Sequence, residues 1–144
     1  MFHGPLFQGL EKVDSLGLDG IAGELRSTPL SECLKESAQD KWIIDPLLVD
    51  SAMQLAGVWA RHYMDITVLP TGFKSLHILA SPQGEKFKAI VWIPEESKNG
   101  QLLCDMGLYD EEGKLVLLMQ GLGGVGSKSF NRLAQQPKSF RVKP

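Results

Sequence analysis

The side chains with the clearest chemical potential in this sequence are Asp50 and Gln54. Asp50 is the only ionisable residue in the segment PLLVDSAMQLAGVWA, residues 46–60. A spacing of four puts its carboxyl group and the Gln54 amide on one helix face, one turn apart. Because a carboxylate is costly to bury, such a helix keeps one only if it has a partner or a function. The pair predicts either a tolerated structural carboxylate or a general acid that protonates a leaving hydroxyl.

The element that positions this pair is predicted to be a long helix, buried on most of its sides. Asp45 can cap the helix, and Pro46 occupies its first position, where a missing N–H costs nothing. We expect the helix to reach residue 63 or 64 and to end before Leu69-Pro70. Almost every other residue of the segment is apolar or small, which is typical of a helix enclosed by a sheet.

Most of the remaining sequence predicts strands of an antiparallel sheet. A short helical turn is expected near residues 30–37, and Gly113 supplies the tight turn of the last hairpin. One long helix with five or six strands is an α+β pattern, in which the sheet wraps around the helix. We predict a single domain over residues 1–144. The predicted strands cover residues 6–13, 21–25, 71–80, 87–93, 102–109 and 115–120.

The run GLGGVG at residues 121–126 matches the glycine pattern of a dinucleotide-binding turn. That fingerprint also needs a following helix, a second parallel strand and an acidic residue about 20 positions later. The last acidic residue of this sequence is Glu112. The glycines therefore favour a strand that bends or runs close to another backbone.

The overall composition excludes several classes of function. Fifteen basic and 17 acidic residues leave no basic surface for nucleic acid, and no stretch is long and apolar enough to span a membrane. Cys33 and Cys104 are expected to be free thiols of a cytoplasmic protein. His62 and His77 are expected to be surface residues, and no spacing of histidines and cysteines predicts a metal site.

Four segments, in the same order, resemble motifs of polyketide synthase dehydratase domains. The first is HGPLFQGL at residues 3–10, whose HGP form resembles the polyunsaturated fatty acid synthase enzymes. The second is DPLLVDSAMQ at residues 45–54, which resembles the motif HPxLLDAxxQ. The third is Leu69-Pro70 before a strand, and the fourth is residues 108–110 with Gly113.

This resemblance implies one half of a double hotdog, a fold in which two fused copies each wrap a sheet around a long helix. It implies removal of water from a 3-hydroxyacyl thioester carried on the phosphopantetheine of an acyl carrier protein, with no other cofactor. Asp50 matches the general acid of the family, and Gln54 matches the residue that holds it. His3, with Pro5 and Phe7 of the same motif, is expected to line the substrate pocket.

The family's catalytic histidine lies in a motif HxxxGxxxxP, which does not occur in this sequence. We therefore predict that the chain is the C-terminal hotdog half of a dehydratase. Its partner would be a histidine-bearing half or a second copy of the chain, and the chain alone would be weakly active or inactive. Asp45 stands where the family usually has histidine.

Three alternatives remain open on the sequence. One is a non-catalytic module for acyl binding or assembly, and another is a hotdog thioesterase in which Asp50 activates water. In the third, His3 replaces the missing base.

Overall fold

The computed structural model of the protein describes residues 4–34, 41–99 and 101–132. These residues form two helices and seven strands, with short 3-10 turns at Pro5–Phe7, Glu95–Asn99 and Lys128–Arg132. The helices are α1 (Leu30–Cys33) and α2 (Pro46–Tyr63). The strands are β1 (Leu10–Gly17), β2 (Gly20–Arg26), β3 (Thr67–Gly72), β4 (Ser75–Ile78), β5 (Lys86–Trp92), β6 (Gln101–Tyr109) and β7 (Leu115–Ser127).

All seven strands belong to one antiparallel sheet with the order β1-β2-β5-β6-β7-β3, and β4 also pairs with β7. Helix α2 packs against strands β1, β2, β3, β5 and β6. The α+β prediction of a sheet around a single long helix is confirmed. Within the described residues, no helix is both long and apolar enough to cross a membrane.

Helix α2 begins and ends as its sequence predicts. The Asp45 carboxylate accepts hydrogen bonds from the backbone N–H groups of Leu47 (2.9 Å) and Leu48 (3.1 Å). These bonds satisfy two of the amides that the first helical turn leaves unpaired. Met64 caps the C-terminal end, and Asp65 follows with a positive φ of 51°, which lets the chain leave the helix abruptly.

The core lies between α2 and the concave side of the sheet. Leu48, Leu55 and Trp59 of the helix are at most 1% exposed, and the Trp59 indole N–H donates to the Gly17 carbonyl at 2.8 Å. They face apolar residues from four strands. These are Ile21, Leu25, Phe87, Ala89, Val91, Met106 and Met119. Burying each large side chain contributes about 1.5–3 kcal/mol, so this contact fixes which side of α2 is turned away from the sheet.

Strand β7 bends at Gly121, which has a φ of +63° and donates its N–H to the Asp105 carboxylate at 2.8 Å. Before the bend β7 pairs with β4, and after it β7 pairs with β3. A Cβ on Gly124 would lie 2.4 Å from the Val68 Cγ1 atom. The glycine-rich run is therefore part of a strand, as the sequence favoured, and not the turn of a dinucleotide site.

Three element predictions need correction. The strand predicted at 71–80 is two strands, β3 and β4, separated at Phe73-Lys74, and β3 already includes Leu69-Pro70. Pro70 is tolerated because β3 is an edge strand, where a missing N–H disrupts little. The first strand begins at Leu10 and not at Leu6, because a 3-10 turn precedes it. The helical turn near residue 30 ends at Cys33, and residues 35–40 lie outside the described part.

We expect Leu55→Ala to lower the free energy of unfolding by about 2–5 kcal/mol, because it leaves a cavity where α2 meets the sheet. Urea denaturation measures the change. Leu18→Ala is the control, because Leu18 is 63% exposed in the β1–β2 turn and should change stability by no more than about 0.5 kcal/mol. Equal losses in both variants would contradict this assignment of the core.

Candidate active site

Asp50 lies on the side of helix α2 that the sheet leaves uncovered. It is half-buried, as are Val49, Met53 and Gly57, and the helical period places all four on one face. A Cβ built on Gly57 would meet no atom within 4 Å. Asp50 is therefore the single carboxylate of an apolar, partly open helix face.

The Gln54 amide connects Asp50 to the N-terminal segment of the chain. Its Nε2 group donates one hydrogen bond to the Asp50 Oδ2 atom and another to the Phe7 carbonyl, both at 2.8 Å. Gln54 is only 7% exposed. The predicted face shared by Asp50 and Gln54 thus exists, and both hydrogens of the amide are used in it.

The segment from Gly4 to Gly9 contacts helix α2 and is held by two backbone hydrogen bonds, one within the segment and one to β2. The Phe7 N–H donates to the Gly4 carbonyl at 2.9 Å, which closes the 3-10 turn. The Arg26 N–H donates to the Gly9 carbonyl at 2.8 Å, which ties the segment to β2. The segment thereby brings the Phe7 carbonyl to Gln54.

Ser51 lies beneath this segment and is fully buried. Its Oγ atom has no hydrogen-bond partner among the described residues. Gly9 approaches it closely, since a Cβ on Gly9 would be 2.6 Å from the Ser51 Oγ atom. A buried hydroxyl without a partner is destabilising, so Ser51 lowers the stability of the chain at a position next to the candidate acid.

Asp45 is a second buried carboxylate, 1% exposed, five residues before Asp50. Burial raises the pKa of its carboxyl group, and the amides of Leu48, Leu47 and Thr28 oppose that effect by donating to it. The Thr28 N–H lies 3.4 Å from Oδ2. Asp45 is therefore a structural cap whose charge the interior disfavours.

The other candidate residues are distributed as follows. His3 lies outside the described residues, and the Phe7 side chain is 40% exposed. Pro5 is in the 3-10 turn beside Phe7. The expected contacts of these three residues with substrate stay predictions. His62 and His77 are exposed, as predicted, and the His77 Nε2 atom lies 3.2 Å from the Ser75 hydroxyl oxygen.

The two cysteines are free, as predicted. Burial raises the pKa of the Cys104 thiol to about 12, so this side chain is not a nucleophile at neutral pH. Burial also raises the pKa of Cys33. Among the described residues, no group of three or more His, Cys, Asp or Glu side chains is arranged to hold a metal ion.

Two cavities border Asp45, and Asp50 lines neither of them. One has a volume of about 170 Å³ and includes Thr28 and Trp42 in its wall, and the other is only about 10 Å³. Sites for small molecules usually occupy about 300–1,000 Å³. Neither cavity is a substrate pocket around the candidate acid.

Two contributors to the site, the Phe7 carbonyl and Gly9, are not predicted by the sequence. A backbone carbonyl carries no sequence signal, because every residue has one. Gly9 could have been noticed as a residue without a side chain between a 3-10 turn and a strand. Only the distances to Ser51 and Arg26 reveal what it contacts.

A long helix wrapped by an antiparallel sheet defines the class of this protein as a hotdog-type domain. A sequence model of the polyketide synthase dehydratase N-terminal domain matches residues 1–135. The chain belongs to that family.

The relatives place this family inside large synthases. One of the polyunsaturated fatty acid synthase chains of Thraustochytrium sp. is 26% identical over 122 residues, which cover 83% of this chain and 4% of that relative. The chain is thus similar to a small part of a much longer protein.

Solved structures confirm the hotdog prediction. The dehydratase domain from the CurK module of the curacin polyketide synthase is 25% identical, with a TM-score of 0.66 over 87% of this chain and 42% of that one. A trans-acyltransferase polyketide synthase enoyl-isomerase has a TM-score of 0.67 at 17% identity, over 84% of this chain and 46% of that one. The chain therefore spans less than half the length of these structures.

The family description names the N-terminal domain, so our prediction of a C-terminal half is not confirmed. The hotdog fold cannot decide between the halves, because the family resemblance gives both halves the same fold. The assignment of the chain to the N-terminal or the C-terminal half therefore depends on which of the family's catalytic residues it carries.

We expect Asp45→Asn to change how stability depends on pH. The pKa of Asp45 is higher in the folded chain than in the unfolded chain. Its carboxyl group therefore stabilises the fold at pH values below its ordinary pKa, and this contribution is lost as the pH rises through the pKa of the folded state. Asparagine also caps helices and carries no charge. The unfolding free energy of Asp45→Asn relative to the wild type should therefore increase with pH through this window, measured by urea denaturation.

Asp14→Asn is the matched control for that series. A hydrogen bond from Lys12, at 2.9 Å, lowers the pKa of Asp14, so the contribution of Asp14 is present above its ordinary pKa and is lost as pH falls. The two variants should therefore change with pH in opposite directions relative to the wild type. Parallel curves for Asp45→Asn and the wild type would contradict the prediction.

We expect Ser51→Ala to raise the free energy of unfolding by about 1 kcal/mol, because it removes a buried hydroxyl that lacks a partner. Ser97→Ala is the matched control, since Ser97 is equally buried but bonds to both the N–H and the carbonyl of Leu103. That variant should lose about 1–3 kcal/mol. A loss of stability in both would show that the Ser51 hydroxyl is satisfied in solution.

Proposed function

We propose that this chain is the acid-bearing hotdog half of a 3-hydroxyacyl thioester dehydratase within a polyketide or polyunsaturated fatty acid synthase. The observation that carries the proposal is the hydrogen bond from Gln54 Nε2 to Asp50 Oδ2, on the uncovered face of α2. It holds a carboxyl group in one orientation on a face where a second domain can supply the remaining groups.

The proposed reaction is elimination of water across Cα and Cβ of the acyl chain. A histidine of the partner half removes a proton from Cα, and the electron pair of that C–H bond forms the double bond. The Cβ–O bond breaks, and Asp50 gives its proton to the departing hydroxyl, which leaves as water. Both proton transfers belong to general acid–base catalysis, in which positioning matters as much as acidity.

The surroundings of Asp50 suit this role. The neighbouring residues Val49, Met53 and Gly57 are apolar or small, so the face can accept an aliphatic chain next to the acid. The Gln54 amide can only donate toward Asp50, because its other hydrogen is bonded to the Phe7 carbonyl. Such a fixed donor stabilises the carboxylate that forms when Asp50 has given up its proton.

The missing base supports a two-part site. The sequence has no HxxxGxxxxP motif, and the chain spans 42% of the CurK dehydratase domain. Asp50 also lines neither cavity that borders Asp45. We propose that a histidine-bearing hotdog half completes the pocket, or that a second copy of the chain covers the same face without providing the family's base.

The proposed substrate donor is an acyl carrier protein. Its phosphopantetheine would carry the 3-hydroxyacyl group, and the reaction requires no further cofactor. This assignment is supported by the relative in Thraustochytrium sp., which is part of a fatty acid synthase and of which the chain matches 4%.

We expect the chain alone to convert a 3-hydroxyacyl-pantetheine thioester slowly or not at all. Addition of a histidine-bearing dehydratase half should produce the enoyl thioester. Asp50→Asn should then lower the rate by about 10²-fold or more, the usual scale of general acid catalysis. Product formation is measured by mass spectrometry, which separates enoyl thioester from free acid.

Asp65→Asn is the matched control, because Asp65 lies just beyond the opposite end of the same helix and asparagine tolerates its positive φ. This variant should keep the wild-type rate. Release of free acid in place of the enoyl product would favour a thioesterase. An acyl affinity that is unchanged in Asp50→Asn, with no turnover in any mixture, would favour a binding module.

A further inference from the structure

The Phe7 carbonyl determines which way the Gln54 amide faces. A carbonyl oxygen can only accept, so the Nε2 group must point toward it, at 2.8 Å. Rotating the amide by 180° would bring Oε1 against the Phe7 carbonyl oxygen, which is also an acceptor. The observed orientation leaves Oε1 buried with no partner among the described residues. The two bonds of Nε2 therefore outweigh an unsatisfied oxygen.

The position of the Phe7 carbonyl depends in turn on Gly9. Gly9 is buried, and a Cβ on it would lie 2.6 Å from the Ser51 Oγ atom and 2.8 Å from the Arg26 carbonyl oxygen. Both distances are too short for a carbon atom. The Arg26 oxygen belongs to β2 and the Ser51 side chain is short and packed, so the N-terminal segment would have to move away from α2.

We infer that Gly9 is a positioning residue that sets the orientation of Asp50 through the Phe7 carbonyl and Gln54. The absence of a side chain lets the segment lie directly on the helix, and this contact keeps the carbonyl within bonding distance of the amide. The connection of Gly9 to the reaction rests on the proposed function of Asp50. Its effect on the Gln54 hydrogen bonds does not depend on that function.

Gly9→Ala tests the inference in the whole chain. Glutamine is labelled with ¹⁵N, and the signal of the Gln54 side-chain amide is identified because it is missing from the spectrum of Gln54→Ala. In the wild type the Gln54 side-chain NH₂ should exchange slowly with solvent, because both hydrogens are bonded. Gly9→Ala should speed this exchange by roughly tenfold or more. Gly4→Ala adds the same methyl group to the same segment, where no atom lies within 4 Å, and should leave the rate unchanged.

A rescue variant separates positioning from a general loss of folding. Gly9→Ala/Ser51→Ala removes the closer of the two contacts while the Arg26 oxygen remains, so slow exchange of the Gln54 amide should return in part. The double variant also provides the measurement if Gly9→Ala does not fold. Wild-type exchange at Gln54 in a folded Gly9→Ala chain, with only a lower melting temperature, would overturn the inference. A double variant with no recovery would assign the displacement of the segment to the remaining contact with the Arg26 oxygen.

The consequence for the reaction is measured with the histidine-bearing half present. Gly9→Ala should lower kcat by about tenfold with KM almost unchanged, because a misplaced acid weakens only the transition state. An unchanged kcat together with accelerated amide exchange would show that Gly9 does not contribute to the reaction. If the wild-type mixture forms no enoyl product, the proposed function fails, and amide exchange still decides whether Gly9 positions the Gln54–Asp50 pair.

Discussion

The apolar side of helix α2 must be covered, and a single curved sheet covers only part of the circumference of a helix. Leu48, Leu55 and Trp59 satisfy the first requirement by packing against the sheet. Because the sheet covers only one side of the helix, the face that carries Val49, Asp50 and Met53 stays half-buried. The location of the candidate site follows from this constraint, because Asp50 lies on the face of α2 that the sheet does not cover.

The environment of Asp50 illustrates how backbone and side chains together hold a carboxyl group in one orientation. Gln54 touches the carboxylate, but the Phe7 carbonyl decides which end of the amide Gln54 presents. That carbonyl is held by a short segment that is fixed to β2 through the Arg26 N–H. The orientation of the Gln54 amide toward Asp50 therefore depends on the contact between the N-terminal segment and strand β2.

The fold alone does not define the reaction. A dehydratase domain and an enoyl-isomerase both match this chain with TM-scores near 0.66, which agrees with the general observation that one fold supports several activities. This chain is distinguished by which of the family's motif residues it carries and which it lacks. It carries Asp50 and Gln54 on one helix and lacks the motif HxxxGxxxxP, although its family is described by the N-terminal domain.

The sequence by itself determined helix α2, because a capping Asp45, a proline at the first position and a mostly apolar segment are all local signals. It also determined the pairing of Asp50 with Gln54, which a helical spacing of four enforces, and the strand character of the glycine run after residue 120. The break between β3 and β4 and the 3-10 turn before β1 were decided by the tertiary structure, since local preferences there are weak. The contact of Gly9 with Ser51 and the bond from Gln54 to the Phe7 carbonyl were likewise decided by tertiary structure. Both join residues more than 40 positions apart, and neither a missing side chain nor a backbone oxygen leaves a pattern in the sequence.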